Sequence, residues 1–154
     1  MIIFDDEYYM RLALNEAQNA FDKGEVPVGA VVVCDGRIIA RAWNQVEMLK
    51  DATAHAEILA ITQAAAALGD WRLENAEIYV TKEPCAMCAG AMVNSRIKRV
   101  VFGLSDPRSG AAGGALDVTG FSGMLHNVAV KSGVLEAECK ALLQDFFKLV
   151  RCQR

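Results

Sequence analysis

Two short segments, far apart in the chain, restrict its possible folds more than anything else: Ala54-His55-Ala56-Glu57 and Pro84-Cys85-Ala86-Met87-Cys88. Cysteines three apart lie on one face of a helical turn, so both sulfurs can reach one cation. Thiolates prefer zinc, and a histidine upstream adds a third donor of the right kind. Each part is ambiguous alone. A C-x-x-C pair is also a redox motif, and a lone histidine is more often an ordinary core or surface residue. Taken together they require a fold that brings His55 to Cys85 and Cys88. Three protein donors leave a position for water, as catalytic zinc requires, whereas a structural site takes four. Zinc lowers the pKa of that water to about 7. His126 or Cys34 could complete a structural set, but His126 lies in an irregular segment with no acidic or cysteine neighbour. The cysteines are expected at a helix start, with Pro84 where a missing N–H costs least. Free N–H groups and the helix dipole would favour thiolates there.

Glu57 is the natural proton carrier beside such a site. Positions two apart on a regular helix point about 200° apart. His55 and Glu57 therefore share a site only near a frayed helix start, or with Glu57 acting from the side.

The 154 residues suit one domain, 1–154, with one core. No apolar run reaches the length of a membrane span, and the first residues lack the pattern of a signal peptide. Cys34, Cys139 and Cys152 form no disulfide framework, which fits a reducing cytoplasm. The net charge of −3 does not advertise a nucleic-acid binder, but the charge is uneven. Residues 94–108 carry Arg96, Lys98, Arg99 and Arg108 against Asp106. Residues 140–154 carry Lys140, Lys148, Arg151 and Arg154 against Asp145. Both segments could hold a phosphate backbone or be ordinary solvated charge.

Apolar spacing predicts a helix over 5–23, stopped by Gly24. A β-hairpin follows, with VPVGAVVV and IIARAW joined at Asp35-Gly36. Residues 44–53 read as a loop, and Thr53 as the cap of a helix over about 54–68. A strand at 76–81, a helix at 85–94 and a strand at 98–103 come next. Residues 104–127 are irregular and Gly-rich, with a short helix expected in GALDV. A weak strand at 128–130 and a helix over 135–150 close the chain. Alternating strands and helices after the hairpin predict a three-layer α/β domain with a mixed sheet.

H-x-E followed by P-C-x-x-C is the known signature of zinc-dependent nucleobase deaminases. Further segments go beyond it: EVPVGAVVV at 25–33, WN at 43–44, TAHAEI at 53–58, YVTKEPCAMCAGAM at 79–92, SRIKRVVFG at 95–103 and DPRSGAAG at 106–113. Through these the chain resembles the bacterial tRNA-specific adenosine deaminases of the cytidine deaminase-like superfamily, from Tyr9 to Phe147. The resemblance implies a three-layer α/β/α cytidine deaminase-like sandwich with a five-stranded mixed sheet. It implies a homodimer with one Zn2+ per subunit, held by His55, Cys85 and Cys88. The reaction it implies is hydrolytic deamination of the wobble adenosine to inosine in a tRNA anticodon stem-loop. Glu57 would take a proton from the attacking water, hand it to the ring nitrogen, and later protonate the departing amine. Asn44 would hydrogen-bond the nucleoside, and Pro27, Val28 and Ala56 would line the base pocket. Asp106, Arg108, Phe147 and Arg151 would contact the RNA beside the target. On sequence alone Asn44 reads equally as a turn residue and Phe147 as core; packing is favoured for Phe146. The chain departs from the family pattern at Lys82, where an apolar residue is common, and in a short C-terminal tail poor in arginine. Competing readings are a deaminase of free guanine, cytosine or their nucleosides, and a non-catalytic module that uses zinc for folding.

Overall fold

A computed structural model describes residues 3–153 of the chain. Met1, Ile2 and Arg154 lie outside the described residues, so the Arg154 part of the C-terminal basic segment does too. The first helix, α1, spans Asp6–Asp22. Asp5 caps it, its side chain accepting from the Tyr8 N–H at 2.9 Å. β1 (Gly29–Cys34) and β2 (Arg37–Trp43) form the expected hairpin through Asp35-Gly36, both with positive φ. A short α2 (Val46–Leu49) precedes α3 (Ala56–Leu68). Then come β3 (Ala76–Lys82), α4 (Ala86–Asn94), β4 (Arg99–Leu104), β5 (Ala129–Lys131) and α5 (Glu136–Cys152).

The sheet order is β2-β1-β3-β4-β5. β1 runs antiparallel to β2 and β3, while β3, β4 and β5 run parallel. The expected mixed five-stranded sheet is therefore present. Alternation along the strands sorts side chains onto two faces. Val31, Val33, Tyr79 and Val101 face Tyr9, Met10 and Ala13 of α1 and Cys139 of α5. Val32, Ile78, Val80 and Val100 face Ala56, Ala60 and Ala64 of α3 and Met92 and Val93 of α4. Helices thus cover both faces, which gives three layers. No helix among the described residues is long and apolar enough to cross a membrane.

Three local expectations need correction. Residues 44–53 are not all loop, because the carboxylate of buried Glu25 accepts from the Glu47 and Met48 N–H groups at 3.0 and 2.7 Å. That tertiary cap stabilises the start of α2. Thr53 does not cap α3: its hydroxyl donates to Asp51, and His55 holds the capping position. GALDV forms no helix but a turn closed by an Ala112–Asp117 bridge. The N–H groups of Ala112 and Gly114 are bound instead by Glu83.

An ion-pair cluster ties α1 to the sheet. Arg99 donates to Asp6 at 2.8 Å and to Glu77 at 2.7 Å. Lys131 of β5 and the Tyr79 hydroxyl also bind Asp6.

Candidate metal and substrate site

His55 precedes the first turn of α3 with extended backbone angles (φ −71°, ψ 151°). That resolves the 200° problem. His55 is not yet helical, Glu57 is, and both reach the same space. Cys85 stands in the same position before α4, and Cys88 lies in the first turn of that helix. The His55 Nδ1 atom is 3.7 Å from the Cys85 sulfur and 3.6 Å from the Cys88 sulfur. One donor atom from each residue lies within 4.8 Å of the others, so the three form a group that could hold a metal ion. His126 and Cys34 are not part of it. His126 Nε2 sits 2.7 Å from the Ile97 carbonyl, and Cys34 is buried in β1.

The protonation chemistry fits a cation. The hydrogen bond with Cys88 pulls the Cys85 thiol down to about 5, against the opposing effect of burial. The Cys88 and Met87 amides and His55 lower it further, without a conventional capping hydrogen bond. Cys88 is pushed up by the Cys85 sulfur beside it, by burial and by Glu57. Two thiols this close cannot both ionise unaided, and a divalent cation among the three donors would relieve that repulsion. Two sulfurs and one nitrogen suit zinc, with the fourth side open.

Glu57 is only 4% exposed. Burial raises its pKa, and the charge of Cys85 adds to that, against smaller opposing effects of its own backbone N–H and His55. Burial that disfavours its charge readies this carboxylate to take up a proton, and its place beside the metal group suits it to pass one on.

His55, Cys85 and Glu57 line a cavity of about 490 Å³ together with Val28, Asn44 and Ala56, while Cys88 is buried behind it. That is the size of a small-ligand site. Asn44 is buried, and its amide donates to the Val26 carbonyl at 3.3 Å. Pro27 is buried between two cavity-lining residues but does not line the cavity itself. Phe146 is 6% exposed, lines this cavity and packs against Phe21 and Phe147.

A second, more open groove of about 1080 Å³ adjoins the cavity, and both share Lys82, Asp106 and Ser109. Arg108, Phe147 and Arg151 line this groove together with Lys140 and Lys148. It therefore carries five cationic side chains against Asp106 and Asp145. Phe147 is 45% exposed, so it is not core. The other basic segment does not act as a unit. Arg96 stacks near Trp71 and Arg99 joins the Asp6 cluster; only Arg108 reaches the groove.

The Asp106 carboxylate is engaged by its own loop. It accepts from the Arg108 and Ser109 N–H groups at 2.9 and 3.2 Å and from the Ser109 hydroxyl at 2.7 Å. Lys82 sits 3.3 Å away. Burial would raise the Asp106 pKa, but these donors outweigh it and hold the group well below the usual carboxylate range.

Sequence reasoning gave no role to two buried carboxylates. Glu25 fixes α2 at one cavity wall. Glu83 fixes the loop after β4 at the other, accepting from the N–H groups of Asp106 (2.9 Å), Ala112 (3.0 Å) and Gly114 (2.8 Å). Gly110 and Gly114 are required there, since a Cβ on either would collide with the Glu83 carboxylate. Neither carboxylate carried a signal in the sequence, because the partners of both are backbone N–H groups.

The family model of MafB19-like deaminases matches residues 4–151. A tRNA-specific adenosine deaminase of Bacillus subtilis (strain 168) is 51% identical over 95% of this chain and 91% of its own length. The chain belongs to the tRNA-specific adenosine deaminase family. A solved structure from studies of A-to-I editing by tRNA:A34 deaminases at the wobble position of transfer RNA resembles this member closely. The TM-score is 0.85 at 46% identity, over 88% of this chain and 99% of the other. A guanine deaminase from Nitrosomonas europaea has the same fold, with a TM-score of 0.81 at 24% identity over 95% of this chain and 86% of the other. The three-layer deaminase architecture is thus common to proteins with different named substrates, and the family assignment rests on the closer relatives.

Proposed function

We propose that this chain hydrolyses the wobble adenosine of a tRNA anticodon loop to inosine, releasing ammonia. One observation carries the reading: a buried carboxylate and two donors of a three-donor metal group line a base-sized cavity that adjoins a cationic groove. His55, Cys85 and Cys88 would hold one zinc per subunit, which would supply Lewis acidity to the attacking water.

The chain's own residues do the rest. Glu57 takes a proton from water as the oxygen bonds to adenine C6, and delivers it to the ring nitrogen. Now a carboxylate again, it takes the remaining proton from the new C6 hydroxyl and passes it to the exocyclic nitrogen, so the C6–N6 bond breaks, ammonia leaves and C6 becomes a carbonyl. Asn44 holds the nucleoside, while Val28 and Ala56 confine the base and Pro27 backs that wall. Asp106 shapes the loop that carries Arg108, and Arg108, Phe147 and Arg151 meet the RNA around the target. An anticodon-loop base is cheaper to unstack than a paired one, so a loop suits a cavity that must enclose the whole base. We read the chain as one deaminase domain, a homodimer working in the reducing cytoplasm, with no membrane role.

Incubation with an adenosine-bearing anticodon stem-loop, beside free adenosine, guanine and cytosine, tests this by product mass. The stem-loop is expected to lose one amine as ammonia, a shift of about +1 Da, and the free compounds to remain unchanged. Deamination of a free base alone would reverse the substrate assignment.

A further inference from the structure

Lys82 is the last residue of β3, and its backbone is fixed in the sheet opposite Leu104. The next residue donates its N–H to the Leu104 carbonyl at 2.8 Å, so the strand end is held against β4. The side chain is 35% exposed and lines both the closed cavity and the open groove. An ammonium group has three donors. One faces Asp106 Oδ2 at 3.3 Å, and Lys82 has no other ion-pair partner among the described residues. Asp106 is meanwhile engaged by Ser109 and the Arg108 N–H, so it does not absorb the whole charge of Lys82.

A polynucleotide whose base enters the cavity can run its sugar-phosphate into the cationic groove through the seam where the two spaces meet. Only Lys82, Asp106 and Ser109 line both. Lys82 is the one cation of the three, and unlike Arg108 it stands on a strand rather than a loop. We propose that Lys82 binds the phosphodiester flanking the extruded nucleotide, making it a specificity residue for RNA over free bases. This rests on the proposed RNA substrate. Its chemistry is simple: the ammonium keeps its tether to Asp106 and turns its remaining donors to a phosphate oxygen. A free base has no phosphate and gains nothing from it.

The test compares wild type with Lys82→Leu and Lys82→Arg on the anticodon stem-loop. KM is measured, and binding of the inosine-bearing product stem-loop is followed across a salt series. Lys82→Leu is expected to raise KM roughly tenfold, with a much smaller change in kcat. The slope of log affinity against log salt should become shallower by about one counterion. Lys82→Arg should restore both. An unchanged slope in Lys82→Leu overturns the phosphate contact, whether or not kcat falls, because a residue that merely braces Asp106 would leave the slope alone. If the wild type binds the stem-loop with a Lys82-dependent slope but does not deaminate it, the proposed reaction fails and the contact stands. If it binds no RNA, both fall.

Discussion

At the scale of single residues, the site depends on where two helices begin. His55 and Cys85 each stand just outside a helix, while Glu57 and Cys88 lie just inside one. These four residues were legible because their identities and spacing point to one chemistry. Glu57→Gln keeps the shape of the buried side chain and removes its ability to carry a proton. Turnover is expected to fall about 10²–10⁴-fold, with metal content per chain unchanged by elemental analysis. Activity within tenfold of wild type would take Glu57 out of its role. Glu25 and Glu83 were not legible as anchors. Their partners are backbone N–H groups, which leave no mark in the sequence, so each reads as an ordinary solvated acid.

At the scale of elements, periodicity exposed what local physics governs. The hairpin, α1, α3 and α5 follow from apolar spacing and turn residues. α2 did not, because its start is capped by Glu25 from another part of the chain. The loop after β4 was likewise opaque, since Glu83 shapes it from the end of β3. Glu83→Gln leaves one oxygen for the Ala112 and Gly114 amides and turns an NH2 toward the Asp106 amide. The lost bond is expected to cost about 1–3 kcal/mol. It should appear as faster hydrogen exchange at the Asp106 amide and as a higher KM for the stem-loop, with metal retained. Unaltered exchange at that amide would remove Glu83 as the anchor of the loop.

At the scale of the whole molecule, the Asp6 cluster joins the first helix to three strands. Sequence patterning could not show it, because Asp6, Glu77, Arg99 and Lys131 meet only once the strand order is set. Burial would raise the Asp6 pKa, but Arg99, Lys131 and Tyr79 lower it from 3.8 to about 2. The depressed carboxylate stabilises the fold fully above the unfolded value near 3.8. That contribution fades as pH falls toward 2. After solvent screening it is about 1–2 kcal/mol. Asp6→Asn should therefore lower thermal stability at pH 7 and flatten its pH dependence between about 4 and 2. An unchanged acid limb would mean that the cluster contributes nothing. The end of β3 has a consequence of its own. Lys82, Glu83, Pro84 and Cys85 follow one another, serving in turn the seam, the loop anchor, the helix start and the metal group. This tetrapeptide, running from the last residue of β3 to the residue before α4, acts as a ruler laid across the centre. Each mark can be exchanged singly, but inserting or deleting one residue would move every mark after it into its neighbour's place.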